Sequence, residues 1–251
     1  MYDLPRAYDI VFDIDTESEC DFLEAMHRRH ALSEGRRIIE PGCGTGRLLR
    51  GMRRRGWSAD GFDASRPMLE FARQAGKERD ADSIVEARFD DFTMDGPYDL
   101  AHCMISSLQH VKSDEEAGRH LGLIADHLAP GGLYVLGLHL ADRPELLVDP
   151  ETFHAERDGI AVTCVLEGDV PDLERRRQRI RAKMHVMEND LLESHDSSWW
   201  FRTWTLAQYL TLIAGEPRLE LVALHDFGMD PEIVYSLEDD LVDVISILRR
   251  R

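Results

Sequence analysis

Three glycines at alternate positions, Gly42, Gly44 and Gly46, stand between the apolar pair Ile38-Ile39 and a run of Leu48, Leu49 and Met52 at helical spacing. A strand ending before Gly42 and a helix beginning at about Gly46 leave a turn of nearly bare backbone between them. Such a turn lets a ligand approach the main chain, and the free N–H groups and positive dipole end of the new helix face it. Glu40 lies two residues before the first glycine, and Asp63 follows Gly44 by 19 positions. Trp57 to Asp63 reads as a second strand, so Asp63 falls at its tip, where a carboxylate can accept both hydroxyls of a ribose. Two histidines could move protons: His110, at the start of the helix after a fourth strand, and His139, at the tip of a fifth. As neutral imidazoles they could orient or deprotonate an amine or a hydroxyl. A purely structural imidazole bonded to backbone is the alternative at each position.

Strand, glycine turn and helix together open a nucleotide-binding βαβ unit. A dinucleotide fingerprint, G-x-G-x-x-G, needs its third glycine at position 47, and this chain has Arg47 there. The stretch Glu40-Pro41-Gly42-Cys43-Gly44-Thr45-Gly46 instead resembles motif I of the class I S-adenosylmethionine (SAM)-dependent methyltransferases, E-x-G-x-G-x-G. A turn without any ligand is the remaining alternative. Asp63, Ser65, Met68 and Leu69 match the D-x-S-x-x-M-L that often follows in that family, with Pro67 in the tolerated first turn of a helix. The resemblance implies SAM as cofactor, with Glu40, Gly42, Cys43, Gly44, Gly46, Asp63, Ala64 and Met68 around it.

The third strand, Ile84 to Ala87, runs into Arg88-Phe89-Asp90-Asp91-Phe92. Relatives often have G-D-M-x-D-F here, the first acid binding the adenine amino group. Aligned on Asp91-Phe92, that acid falls on Arg88, a departure from the family. The backbone of Phe89 and the carboxylate of Asp90 are the substitutes; otherwise Asp90 and Asp91 merely end a strand and cap a turn. Tyr98 to Met104 reads as the fourth strand, and Ser107 and His110 occupy the family's S-x-x-H positions. Ligands of doubly wound sheets lie outside the C-terminal strand ends, which puts Cys103, Met104 and Ile105 beside the cofactor. The resemblance also implies a lid in which Tyr8 presents its ring to the sulfonium. Alternatively Tyr8 and Phe12 pack the stripe Cys20, Phe22, Leu23, Met26 and His30 onto the sheet, from a loop around Tyr2-Asp3 and Tyr8 to Phe12.

A helix lined by Leu121, Ile124, Ala125 and Leu128 leads through Ala129-Pro130-Gly131-Gly132 into a fifth strand, Leu133 to Leu138. Thr205 caps a helix over Leu206 to Ala214, and Leu219–Leu224 and Leu241–Leu248 supply two last strands. The expected fold is therefore α/β: a doubly wound, seven-stranded mixed sheet of Rossmann-like methyltransferase type, from residues 1–140 and 203–251. Residues 141–202 change to period-two alternation, with three antiparallel strands expected at Ile160–Leu166, Arg179–Met187 and His195–Arg202. This insert is expected to act as a lid, a dimer surface or a wall of the acceptor pocket carrying Trp199-Trp200-Phe201. A β insert at this point resembles the aminosugar and glycine N-methyltransferases.

Bulk properties narrow the partners. The chain has 251 residues, 30 of them Lys or Arg and 48 Asp or Glu, for a net charge of −18. That balance argues against binding nucleic-acid phosphates or an anionic membrane surface. No apolar run approaches the ~20 residues of a membrane span. The four cysteines are scattered with no C-x-x-C pair, so neither a zinc site nor a disulfide framework is expected. The expectation is a cytoplasmic enzyme that moves a methyl group from SAM to a small-molecule acceptor, nitrogen favoured over oxygen, with a homodimer as one expected use of the insert. A non-catalytic SAM-binding or scaffold protein with the same fold is the competing class.

Overall fold

The computed structural model describes residues 1–76 and 84–251. Among these residues eleven strands sort into two sheets. The larger contains β1 (Arg37–Pro41), β2 (Ser58–Asp63), β3 (Ile84–Glu86), β4 (Tyr98–Cys103), β5 (Leu128–His139), β10 (Leu219–His225) and β11 (Asp243–Arg250), in the order β10-β11-β5-β4-β1-β2-β3. Strands β1 to β5 pair in parallel, and β11 runs antiparallel to both its neighbours. This is the expected seven-stranded mixed sheet.

The strands are nearly continuous apolar runs because both faces are covered. Successive residues go to opposite layers: Ile38, Leu100 and Leu133 pack with α2 (Thr16–His30), α3 (Arg47–Arg54) and α4 (Arg66–Ala75). Their neighbours Ile39, Ala101 and Tyr134 pack with α5 (Asp114–His127) and α6 (Leu206–Ala214). Helix α6 starts where the sequence places it, at Thr205, whose hydroxyl and the Gln208 side chain complete a capping box.

The second sheet is antiparallel, β6 (Glu151–Arg157), β7 (Ile160–Gly168), β8 (Arg177–Glu188) and β9 (Leu191–Arg202) in that order. Its fourth strand, β6, is not among the three expected. It is an edge strand, largely exposed, turning only Phe153 and Ala155 toward the apolar cluster, so its sequence carries little pattern. One face of this sheet packs Ile160, Val162, Cys164, Ala182 and Met184 against Ala7, Ile10 and Val11.

Those last residues belong to α1 (Pro5–Phe12), a helix where the sequence predicts a loop between Tyr2-Asp3 and Tyr8 to Phe12. Pro5 stands in its first turn, where the missing N–H costs nothing, and burial against the second sheet supplies what eight residues of helix lack alone. Two other boundaries differ from expectation. Leu128 continues the helical spacing but begins β5, because Pro130 restricts Ala129 to extended backbone. His110 ends a short 3-10 turn, Ser107–His110, rather than starting α5. Among the described residues no helix is long and apolar enough to cross a membrane.

Candidate active site

A cavity of about 660 Å³ lies between the C-terminal ends of the large sheet's strands and the second sheet. On one side it is walled by backbone. Gly42 and Gly44 adopt φ of 70° and 51°, in the left-handed region that favours glycine. A methyl group added to Gly42 would stand 2.9 Å from the Phe89 ring, so that position is closed by packing. At Gly44 the nearest atom is Cε1 of Tyr8 at 3.9 Å, so a side chain there would extend into the cavity. Gly46 departs from its expected role: it does not line the cavity and serves as the left-handed residue that launches α3.

Asp63 fastens this loop. One carboxylate oxygen accepts from the Gly44 N–H at 2.8 Å and the other from the Ser65 N–H at 2.7 Å. Burial pushes its pKa up, and the backbone N–H groups of Ser65, Gly44 and Ala64 pull it back toward the charged form. Glu40, Cys43, Ala64, Met68, Cys103 and Met104 also line the cavity. Burial raises the pKa of Glu40 well above the carboxylate range, and its Oε2 has no hydrogen-bond partner among the described residues. Arg47, the cation that acts against this shift, bonds both oxygens of Glu19 instead, at 2.7 and 3.0 Å. Glu40 is a buried acid facing a cavity with nothing to bind.

At the third strand, Arg88 and Asp90 line the cavity but are tied to each other at 3.1 Å, and Asp90 also takes Arg119 at 2.9 Å. Arg119, with Arg88 behind it, holds the Asp90 carboxyl below its usual range. Asp90 therefore already has two cations. The Phe89 carbonyl accepts from His120 Nδ1 at 3.0 Å, and His120 Nε2 in turn accepts from the Tyr134 hydroxyl at 2.7 Å. That chain fixes the backbone beneath the Phe89 ring.

The opposite wall is made of side chains. Trp199 and Phe201 from β9 and Gln178 and Ile180 from β8 face inward, while Trp200 points out. Strand alternation sends it to the outer face, 51% exposed beneath the Arg177 guanidinium, 4.4 Å from its ring centroid. The expectation that all three aromatics wall the pocket is thus corrected to two. Tyr2 completes the cluster, its ring 5.5 Å from Trp199 and its hydroxyl 2.9 Å from His110 Nε2. Phe201 meets the His110 ring edge-on at 4.9 Å. Burial lowers the His110 pKa to about 4, so its imidazole is neutral and engaged by Tyr2. The buried Trp199 Nε1 has no partner among the described residues. Tyr8 lies between the two walls, tilted at 47° against Phe12 with ring centroids 4.6 Å apart, and burial raises its pKa to about 12.

His139 reaches the same cavity, with Nδ1 2.5 Å from Asp243 Oδ1. A carboxylate on Nδ1–H leaves Nε2 as the acceptor nitrogen. Asp243 was not singled out in the sequence. Its only local signal is an acid before the run Val244-Ile245, and it becomes meaningful once the register sets Asp243 opposite His139. Between β4 and the His110 turn, Ile105 and Ser106 adopt φ of 56° and 63°, a left-handed pair on the cavity wall that contains a β-branched residue.

A family described as "Methyltransferase domain" matches residues 16–209. The chain is 32% identical over 127 residues to a cypemycin N-terminal methyltransferase from a Streptomyces species, covering 51% of each chain. It is 28% identical over 138 residues to a dTDP-3-amino-3,6-dideoxy-α-D-glucopyranose N,N-dimethyltransferase from Streptomyces fradiae, covering 53% of this chain and 52% of that one. The chain thus spans about half the length of these relatives. Among solved structures, a SAM-dependent methyltransferase from Clostridium acetobutylicum superposes with a TM-score of 0.72 at 13% identity, covering 99% of this chain and 96% of that one. A sugar N-methyltransferase from Streptoalloteichus gives 0.69 at 19%, covering 94% and 87%. At these identities the structural likeness speaks for the fold alone.

Proposed function

We propose that this chain, which belongs to the methyltransferase-domain family, transfers a methyl group from SAM to a nitrogen of a small-molecule acceptor. The observation that carries the reading is the partnerless carboxyl of Glu40, the buried acid on the cavity wall beside the glycine loop. A buried acid of this kind calls for a cationic partner, and the amino-acid tail of SAM brings an ammonium. Gly44 would admit that tail, Met68, Cys103 and Met104 would flank the cofactor, and Asp63 would meet the ribose. Both oxygens of Asp63 hold the loop and retain lone pairs for further donors. When bound, SAM supplies an electrophilic methyl carbon on a sulfonium.

The chain's own residues then align, dry and deprotonate. Trp199, Phe201, Tyr2 and Tyr8 surround the acceptor's end of the cavity and exclude water, which favours a charge-dispersing transfer. Holding nucleophile and electrophile in line is worth up to ~7–11 kcal/mol of effective-molarity gain. His139, oriented through Asp243, is the group that accepts the proton leaving the nitrogen. His110, neutral and bonded to Tyr2, positions the acceptor's wall. The name of the Streptomyces fradiae relative, an N,N-dimethyltransferase, supports nitrogen over oxygen.

Calorimetry tests the reading. SAM and its demethylated product should bind and NAD should not. Asp63→Ala removes charge-assisted bonds worth about 1.5–3 kcal/mol each, so SAM affinity should drop by at least roughly tenfold for each bond lost. Unchanged affinity in that variant sinks the assignment.

A further inference from the structure

The charges lining the cavity are one-sided. Among the described residues ten carboxyl side chains line it, against three cations, Arg47, Arg88 and Lys112. Arg47 is committed to Glu19 and Arg88 to Asp90, both on the loop side. Lys112 follows the His110 turn, where its backbone N–H donates to Glu116 at 2.8 Å. The part of the wall built by residues 146–201 carries Asp149, Glu151 and Glu167 and no lysine or arginine. All three are exposed at the cavity's edge. Among the described residues only Glu167 of the three has a cation within reach, the Arg181 Nε at 3.8 Å, and that arginine sits closer to Asp169.

Behind this acidic rim stand the faces of Tyr2, Trp199 and Phe201 and the partnerless Trp199 N–H. Aromatic faces attract a cation, and an indole N–H donates to a neutral oxygen. Carboxylates around a low-dielectric mouth concentrate cations and repel anions. We propose that the acceptor enters as a cationic amine on a neutral, oxygen-bearing scaffold and gives its proton to His139 before the neutral nitrogen attacks, and that this site rejects the phosphate-bearing or nucleoside-diphosphate-linked form of the same amine. The proposal rests on the methyl-transfer reading. It departs from what the Streptomyces fradiae relative's name says of its own acceptor, a dTDP-linked sugar.

A matched pair of probes decides it: the methyl glycoside of 3-amino-3,6-dideoxyglucose and the dTDP ester of the same aminosugar, each with SAM and the full chain. The glycoside should be methylated with a kcat/KM at least about tenfold higher, and that value should fall as salt rises from ~0.01 to ~0.15 M. The triple variant Asp149→Asn, Glu151→Gln, Glu167→Gln should lose most of that preference at low salt and little at high salt, with SAM affinity unchanged by calorimetry. Equal or better use of the dTDP ester, methylation of neither probe, or a kcat/KM for the glycoside indifferent to salt and to the triple variant overturns the proposal. Failure of SAM to bind at all would instead remove the methyl-transfer reading beneath it.

Discussion

The two walls of the cavity are built on opposite principles. The loop wall is main chain: left-handed glycines, N–H groups spent on Asp63, and strand tips whose geometry the sheet dictates. The facing wall is side chain: Trp199, Phe201, Gln178 and Ile180 projecting from alternate positions of two hairpin strands, with Tyr2 laid against them. A backbone wall has few tolerated variants, because every change alters φ, ψ or a hydrogen bond. A side-chain wall on a separate sheet can be rewritten residue by residue without touching the strands that hold it. The first suits a ligand that stays the same, the second a ligand that differs between relatives.

Substitutions can break this contrast, beginning with the largest effect. Gly44→Val places a β-branched residue at φ of 51° and fills the cavity beside Tyr8. The strain alone is of order 1–3 kcal/mol, and SAM affinity should fall by about a hundredfold or more. Circular dichroism should show the fold kept; an unfolded variant would mean that the glycine serves the turn and not the ligand.

On the facing wall, Trp199→Ala should raise the acceptor's KM by about tenfold while SAM affinity stays unchanged, the loss of one buried aromatic contact. Trp200→Ala, on the outer face beneath Arg177, should leave both constants where they were. If the two variants behave alike, the inward and outward assignment of this strand is wrong.

The smallest expected effect is on stability. His110 and His120 are held neutral by burial, with pKa values of about 4, and His102 is held near 3. Their unfolded values are near 6.5, so between pH 6.5 and 4 the unfolded chain binds more protons than the folded one. Stability contributed by the neutral imidazoles is complete above pH 6.5 and drains away as pH falls toward 4. The melting temperature should drop by several degrees between pH 7 and pH 5, and by less in His120→Gln. A flat profile over that range would contradict the buried, neutral assignment.

The same contrast governs what could be read from the chain alone. The loop wall was legible because its determinants are local: glycines two apart, an acid at the next strand tip, a capping box at Thr205 and Gln208. The seven strands of the large sheet followed from apolar runs and turn residues. The facing wall was legible only in outline. Alternation shows that Trp199 and Trp200 point opposite ways without saying which way is in; α1 docked against Ile160 and Val162 decides that. Strand β6 lacks a pattern because it has little to bury. Helix α1 exists through contacts with residues about 150 positions later, which no local window contains. The His139–Asp243 pair spans 104 positions and depends on a strand register, so neither residue announces the other.

That register has a bearing on how the protein is made. Strand β11 lies between β5 and β10, and among the described residues β10 is paired with nothing else. A chain emerging from the ribosome therefore has its glycine loop, Asp63 and strands β1 to β5 long before Asp243 exists. Until residues 243–250 arrive, β5 has an open edge and His139 has no carboxylate. The glycine-loop wall is complete first and the His139–Asp243 pair last, so an unfinished chain carries the loop without the pair.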